Sequence, residues 1–154
     1  MYRNVIKWVI KMFFGEFRHN IDAKGRLSIP AKMRSQCGES VFVTRGNDGC
    51  LALYTQEGWE SYYQELQSLP QKKKRTRVFI RLVTSRASEC DFDKLGRINI
   101  PLVLRQEGQL EKECVIVGVG DHVEIWNSQA WDEFYLDNKD NFDDIAEDLD
   151  DFEL

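Results

Sequence analysis

Two stretches of the sequence decide the fold, and they are copies of one another: Asp22-Ala-Lys-Gly-Arg-Leu-Ser-Ile-Pro-Ala-Lys-Met-Arg34 and Asp93-Lys-Leu-Gly-Arg-Ile-Asn-Ile-Pro-Leu-Val-Leu-Arg105. They align without gaps at an offset of 71 residues and are identical at 6 of 13 positions. Outside them, Trp59 and Trp131 each follow an apolar-aromatic pair by five residues. Because an internal repeat constrains the architecture more than any single residue does, the chain is interpreted as two copies of one structural unit.

Each copy predicts a β-hairpin followed by a short helix. Phe17–Ile21 and Leu27–Ile29 alternate as strands do, and Lys24-Gly25 supplies the turn between them. Pro30 stops strand pairing and favours the first turn of a helix, which we expect to reach about Gln36. The second copy predicts the same elements, with a hairpin over Phe92–Ile100 and a helix from Pro101 to about Glu107.

A further hairpin follows each of these helices. Val41–Thr44 and Leu51–Tyr54 flank a turn in the first copy, as Cys114–Val119 and Val123–Trp126 do in the second. A unit of about 40 residues buries too little apolar surface to be stable alone. We therefore expect the copies to interlock about a pseudo-twofold axis into one small β-barrel. The alternative is that each half pairs with another chain.

Amphipathic helices are predicted outside the hairpins. One stripe at helical spacing ends at Pro70, and a second follows it, so that a helical hairpin connects the repeats. The stripe residues are Trp59, Tyr62, Tyr63, Leu66 and Leu69 in the first helix and Val78, Phe79, Leu82 and Val83 in the second. Similar spacing from Trp131 to Phe152 predicts a C-terminal helix with a break at Asp137-Asn138. The fold class expected is therefore α+β, mainly β with helices.

These patterns divide the chain into segments: a first repeat over 12–58, a helical connector over 59–86, a second repeat over 87–130 and an acidic helical tail over 131–154. Residues 1–11 are apolar but interrupted by Lys7 and Lys11, and they lack a signal-peptide core and cleavage site. We expect Met12 to be the physiological start and residues 1–11 to be a mis-assigned extension.

The charge of the chain is unevenly distributed. The 154 residues carry 21 basic and 26 acidic side chains, a net charge of -5. Residues 132–154 hold 1 basic and 11 acidic side chains, which leaves 20 basic and 15 acidic side chains, a net charge of +5, in residues 1–131. The body can therefore bind a polyanion although the whole chain is acidic. A composition of 42% hydrophobic and 31% charged residues is typical of a soluble globular protein, and no apolar run approaches the roughly 20 residues that span a membrane.

The sequence argues against a metal centre and against catalysis. Cys37, Cys50, Cys90 and Cys114 form no paired C-x-x-C, and only two histidines accompany them, a pattern typical of reduced thiols in a cytoplasmic protein. The chain shows no nucleophile elbow, no local Cys-His signature and no glycine-rich phosphate loop. We expect a protein that is not an enzyme and has no cofactor or metal.

The turn of each repeat carries the candidate binding residues. In the first, Gly25 occupies a position that favours positive φ, and Asp22 faces Arg26 across the turn. One interpretation is a structural ion pair of modest value. The other is that Asp22 fixes the rotamer of Arg26, so that this arginine and Lys24 are presented to phosphate oxygens or guanine edges. The second turn would present the same arrangement of side chains through Asp93, Lys94, Gly96 and Arg97.

A run of seven basic residues without an acid lies between Leu66 and Ser88. It is either a solvated helix face or a surface that follows DNA phosphates, since phosphate contacts position a protein on DNA while base contacts specify the sequence. The residues proposed to follow phosphates are Lys72, Lys73, Lys74, Arg77 and Arg81.

These motifs closely resemble the MraZ family from Met12 to about Phe134. The resemblance rests on Met12-Phe-Phe-Gly-Glu-Phe, on the two D-x-x-x-R turns each followed by an Ile-Pro step, and on the hairpin that begins Thr44-Arg-Gly-Asn. It implies a SpoVT-AbrB-type swapped-hairpin barrel and places Arg26 and Arg97 at DNA. The residues before Met12 and the acidic end of the tail depart from the family pattern.

The resemblance also implies a function. The expected protein is a transcriptional regulator that binds double-stranded DNA at repeated boxes upstream of the bacterial division and cell-wall gene cluster, forms ring-like homo-oligomers and resides in the cytoplasm at the nucleoid. No membrane partner is expected. The alternative is a non-catalytic oligomeric scaffold that assembles through the Trp59 and Trp131 helices and binds no nucleic acid.

Overall fold

The computed structural model describes residues 12–149, and the expectation about residues 1–11 lies outside that range. The strands are β1 (Glu16–Asn20), β2 (Arg26–Ser28), β3 (Ser40–Arg45), β4 (Leu51–Tyr54), β5 (Ser88–Asp91), β6 (Arg97–Asn99), β7 (Glu113–Gly118) and β8 (Val123–Asn127). The α-helices are α1 (Ala31–Arg34), α2 (Gln56–Ser68), α3 (Lys74–Arg86), α4 (Leu102–Glu107), α5 (Ser128–Asn138) and α6 (Phe142–Glu147). Strands and helices thus follow the same order in both copies, and the predicted α+β class is confirmed.

Strand pairing joins the two repeats in four places, since β1 pairs with β7, β2 with β6, β3 with β5 and β4 with β8. A six-stranded antiparallel sheet has the order β1-β7-β8-β4-β3-β5, and β2 pairs with β6 in a separate two-stranded ribbon. β1 belongs to the first repeat but pairs with β7 of the second, and β5 of the second repeat pairs with β3 of the first. The predicted interlocking of swapped hairpins is therefore confirmed, and the alternative of halves that pair with other chains is wrong.

The predicted hairpins over Phe17–Ile29 and Phe92–Ile100 form only at their turns. In the first, the backbone N–H of Asp22 donates to the carbonyl of Arg26 at 3.0 Å, after which β1 pairs with β7 and β2 with β6. The later hairpins, β3 with β4 and β7 with β8, form as predicted. The β2–β6 ribbon consequently lies between the two edge strands of the sheet. One tight turn joins β1 to β2, and another joins β5 to β6.

One apolar core is shared by both repeats. Leu27 and Ile29 from the first copy and Ile98 and Ile100 from the second are each at most 1% exposed and belong to one cluster. Because these residues lie in and beside the ribbon, the core fixes its inner face. Burial of a leucine or isoleucine side chain stabilises a fold by about 1.5–3 kcal/mol, so the ribbon is held rigidly against the sheet.

The short helices differ slightly from their predicted lengths. α4 ends at Glu107 and is followed by Gly108 as expected. α1 ends at Arg34 rather than near Gln36, because the chain continues in turns in which Gln36 and Cys37 donate to the carbonyl three residues earlier. Both helices bury one apolar side chain, Met33 or Leu104, against the core.

The connector helices form where they were predicted, but their apolar stripes are only partly covered. The hydroxyl of Thr44, which is fully buried, donates to the carbonyl of Val83 at 2.6 Å and fixes the C-terminal half of α3 on β3. Val78, Phe79 and Leu82 belong to the predicted apolar stripe of the second helix, yet they are 42%, 41% and 44% exposed. The contact at Val83, which is buried, therefore covers only part of this stripe.

The tail begins as a helix attached to the first strand. Arg18 Nη2 lies 2.6 Å from Asp132 Oδ1, and Trp131 Nε1 donates to Glu16 at 2.9 Å. α5 ends at Asn138, where the sequence predicted a break, and α6 follows a short 3-10 turn. Among residues 12–149, no helix combines the length and apolar character needed to cross a membrane.

Candidate nucleic-acid interface

The first turn is a compact network around one carboxylate. Oδ1 of Asp22 accepts hydrogen bonds from the backbone N–H groups of Lys24 and Arg26 at 3.0 and 2.9 Å. Its Oδ2 accepts from Nε of Arg26 at 2.6 Å. The aspartate thus fixes both the backbone of the turn and the inner edge of the guanidinium, as the D-x-x-x-R spacing predicts.

The second turn repeats this network. Oδ1 of Asp93 accepts from the backbone N–H groups of Leu95 and Arg97 at 2.9 Å each, and Oδ2 accepts from Nε of Arg97 at 2.8 Å. The glycine before the arginine has positive φ in both turns, +89° at Gly25 and +77° at Gly96. The two arginines are therefore held in equivalent positions by equivalent contacts.

The carboxylates that hold the arginines stay ionised. The backbone N–H of Arg26, and after it the guanidinium of the same residue, hold the pKa of Asp22 below its ordinary value. Arg97 lowers the pKa of Asp93 in the same way. Within residues 12–149, neither arginine forms a hydrogen bond through its terminal nitrogens, Nη1 and Nη2. The outer edge of each guanidinium is therefore available to an external acceptor.

Each turn is hydrogen-bonded to the backbone of the other repeat. The backbone N–H of Ile100 donates to the carbonyl of Gly25 at 2.8 Å, and that of Ile29 donates to the carbonyl of Gly96 at 3.2 Å. A Cβ built on Gly25 would lie 2.6 Å from the carbonyl oxygen of Ile100, which no real Cβ contact tolerates. The glycines are required for this close approach as well as for their backbone angles.

The last arginine of each repeat completes this junction. Arg34 donates to the carbonyl of Ile29 at 2.7 Å and packs over Gly96, while Arg105 donates to the carbonyl of Ile100 at 3.0 Å and packs over Gly25. These arginines are identical in the two repeats, but the sequence pattern alone assigns them no role. The structure shows that both arginines are half-buried and pack against the turn of the other repeat.

The β2–β6 ribbon combines both turns into one surface. Leu27 pairs with Ile98 on the buried face, so the residues on either side of this pair face outward. On that outer face Arg26 lies opposite Asn99, and Arg97 lies opposite Ser28. Ser28 and Asn99 were not among the predicted site residues, although their period-two spacing from the arginines places them on the same face.

The two lysines of the turns do not occupy equivalent positions. The aspartate accepts from Lys24 in the first turn and from Leu95 in the second, so Leu95 is the counterpart of Lys24 and Lys94 is the counterpart of Ala23. The expectation that the second turn presents the same arrangement of side chains therefore holds for the aspartate, glycine and arginine but not for the lysine.

The cationic residues of the connector are divided between structural and free positions. Arg77 donates to the carbonyls of Gln71 and Lys72 at 3.1 and 2.9 Å, which fixes the loop before α3. Lys72, Lys73, Lys74 and Arg81 are exposed. Within residues 12–149, no hydrogen bond or ion pair links these side chains to the ribbon, and α3 packs on β3 instead.

Comparison with known proteins identifies the family. A family model described as "MraZ protein, putative antitoxin-like" matches residues 12–82 and 83–153, one match for each repeat. The chain belongs to the MraZ family. A protein named transcriptional regulator MraZ from Ligilactobacillus salivarius (strain UCC118) is 54% identical over 143 residues, which cover 93% of this chain and 100% of the relative. The protein of the same name from Pediococcus pentosaceus is 51% identical with the same coverage, and one from Limosilactobacillus reuteri (strain DSM 20016) is 52% identical over 138 residues, 90% of this chain and 97% of the relative.

The four cysteines of this MraZ chain are free thiols. Cys50, Cys90 and Cys114 are buried and Cys37 is half-buried. Burial raises the pKa of the Cys37 and Cys114 thiols to about 11, so that both are protonated at neutral pH. Within residues 12–149, no cluster of three or more His, Cys, Asp or Glu side chains could hold a metal ion.

Proposed function

We propose that this MraZ chain is a sequence-specific DNA-binding transcriptional regulator that reads double-stranded DNA with the outer face of the β2–β6 ribbon. The observation that carries the proposal is the pair of arginines, Arg26 and Arg97, each fixed at Nε by an ionised aspartate and each open at its outer edge. The names of the relatives support a regulator rather than an enzyme.

The shape of the ribbon suits the major groove of DNA. That groove admits a two-stranded β-ribbon, and arginine binds the O6 and N7 atoms of guanine through two parallel hydrogen bonds. A free arginine side chain loses about 0.5–1.5 kcal/mol of conformational free energy when it is immobilised at an interface. Because Asp22 and Asp93 already hold their arginines, much of this cost is met before DNA binds.

Basic residues beside the ribbon and on the connector would supply the sequence-independent part of binding. In this proposal Lys24 and Lys94 contact the backbone beside the turns, while Lys72, Lys73, Lys74, Arg77 and Arg81 follow phosphates further along the duplex. Arg77 contributes less than the others, because its Nη1 is already bonded to the preceding loop. The segments 12–58 and 87–130 provide the reading surface, and the connector 59–86 provides the phosphate contacts.

We further propose that the protein acts as a ring-like homo-oligomer on repeated boxes upstream of the division and cell-wall gene cluster, in the cytoplasm at the nucleoid. Exposed apolar side chains support assembly: Val78, Phe79 and Leu82 on the cationic α3, and Phe142 and Ile145 on the acidic α6. Opposite charge on these two surfaces favours contact between neighbouring copies. Several reading surfaces in one particle raise the affinity for repeated boxes through effective concentration.

Titration of DNA at several salt concentrations tests the proposal. We expect specific binding to the region upstream of the gene for this protein, with a log-log salt slope of about -0.9 for each phosphate contacted. Lys74→Ala should reduce that slope by about 1 on every sequence, whereas Arg26→Ala should weaken specific binding by roughly 1–3 kcal/mol. An oligomer that binds no DNA at any salt concentration would instead support a scaffold.

A further inference from the structure

The outer face of the ribbon breaks the symmetry of the repeat at one position. Arg26 and Arg97 are counterparts in the two copies, and so are Ser28 and Asn99. Strand register places Asn99 directly opposite Arg26, whereas Ser28 lies opposite Arg97. One end of the ribbon therefore presents arginine with asparagine, and the other presents arginine with serine.

Asn99 has no structural reason to be asparagine. Asparagine is depleted in β-strands, where it packs poorly on the pleated surface. The side chain is exposed, and its amide forms no hydrogen bond within residues 12–149. Both the donor and the acceptor of this amide are therefore available to a ligand at the surface where we place DNA.

The chemistry of the amide selects one base. Asparagine binds adenine through two hydrogen bonds, donating to N7 and accepting from the N6 amino group. A serine hydroxyl has a shorter reach and binds several bases without strong preference. The end of the ribbon that carries Asn99 is therefore able to discriminate among bases in a way that the Ser28 end is not.

The spacing of the side chains fits neighbouring base pairs. Directly opposed residues of an antiparallel pair have Cβ atoms about 4.5–5.5 Å apart. Successive base pairs are about 3.4 Å apart along the duplex. A guanine bound by Arg26 thus leaves the amide of Asn99 within reach of the adjacent base pair.

We propose that Asn99 is a specificity-determining residue that recognises an adenine next to the guanine contacted by Arg26. The inference rests on the proposed function, because it requires that the outer face of the ribbon enter the major groove. The two ends of the ribbon then read different sequences, even though their arginines are held identically. The tips of the turns differ as well, since Lys24 has the apolar Leu95, 71% exposed, as its counterpart.

The test uses the fragment that the unaltered protein binds most tightly upstream of its own gene, measured by fluorescence anisotropy. Each adenine of that fragment is replaced in turn by 7-deazaadenine, which lacks the N7 acceptor but keeps Watson–Crick pairing. For one adenine we expect the unaltered protein to lose affinity by about 5- to 150-fold, the range of a bidentate contact worth about 1–3 kcal/mol. Asn99→Ser should bind the natural and substituted fragments equally.

Ser28→Asn is the matched control, because it makes the opposite exchange on the same ribbon. It should retain full sensitivity at the adenine read by Asn99. Equal sensitivity of the unaltered protein and Asn99→Ser at every adenine, with both proteins folded by circular dichroism, would overturn the inference while leaving DNA binding intact. Absence of any specific binding by the unaltered protein would overturn the proposed function and the inference together.

Discussion

The junction between the repeats can be tested by adding a single methyl group at Gly25. Gly25→Ala places a Cβ at φ +89°, 2.6 Å from the carbonyl oxygen of Ile100 and 2.8 Å from Nε of Arg105. The backbone angle alone costs about 1–2 kcal/mol for a residue with a side chain. Relief of the clash requires the turn to move away from the other repeat, which adds about 1–3 kcal/mol as overpacking does in a core. The sum is a loss of about 2–5 kcal/mol in the free energy of unfolding.

Gly120→Ala separates these two costs. Gly120 has φ +96°, close to that of Gly25, but nothing lies within 4 Å of the Cβ that alanine would add. Urea denaturation of both variants gives the free energy of unfolding and its dependence on denaturant. We expect Gly120→Ala to show only the backbone cost and Gly25→Ala to be less stable by at least a further 1 kcal/mol. Equal destabilisation of the two variants would refute the reasoning that close packing of the turn against Ile100 adds to the cost of the backbone angle.

Three other predictions address the site and the tail. Arg26→Ala and Arg97→Ala should each weaken operator binding by roughly 1–3 kcal/mol in gel-shift titrations and leave the melting temperature nearly unchanged, whereas Lys139→Ala, which removes one positive charge from the acidic tail, should leave affinity unchanged. The pKa values of Asp22 and Asp93 lie below 3.8 in the folded state. The stability that these carboxylates contribute is therefore present above about pH 4 and is lost as the pH falls through their folded pKa values. In urea melts recorded from pH 5 to pH 2, the free energy of unfolding of the double variant Asp22→Asn, Asp93→Asn should fall less steeply with decreasing pH than that of the unaltered protein. Deletion of residues 137–154 should tighten binding to random DNA at low salt, because it removes much of the acidic charge that competes for the cationic surface, and unchanged anisotropy titrations would count against such competition.

The repeat explains why the interlocked fold could be predicted. A copy of about 40 residues cannot be stable alone, and two copies in one chain therefore indicate a shared core. The partner of β1 could not be predicted, because the alternation of Phe17–Ile21 fits any strand that covers its apolar face. Pairing with β7 involves residues about a hundred positions apart, and no local pattern records such a register.

The candidate site was predicted in its parts but not in its assembly. The D-x-x-x-R spacing places Asp22 against Arg26, because three residues between them form a tight turn. The opposition of Arg26 and Asn99 depends on pairing between copies, which the spacing within one copy does not contain. The exposure of Val78, Phe79 and Leu82 was not predicted either, because helical periodicity identifies an apolar face without showing what covers it.

The attachment of the tail illustrates the same limit. Arg18 reaches Asp132 across 114 residues of sequence, and Glu16 accepts from Trp131 across 115. The sequence shows that the tail is acidic and helical. It does not show that an arginine of β1, rather than the cationic α3, binds the start of the tail.

Footprinting on the DNA upstream of the gene for this protein tests the central claim most directly, with the unaltered protein beside the double variant Arg26→Ala, Arg97→Ala. We expect the unaltered protein to protect short repeated boxes, and the folded double variant to protect none at the same concentration. Protection of the same boxes by the double variant at unchanged concentration would contradict the claim that the β2–β6 ribbon reads DNA.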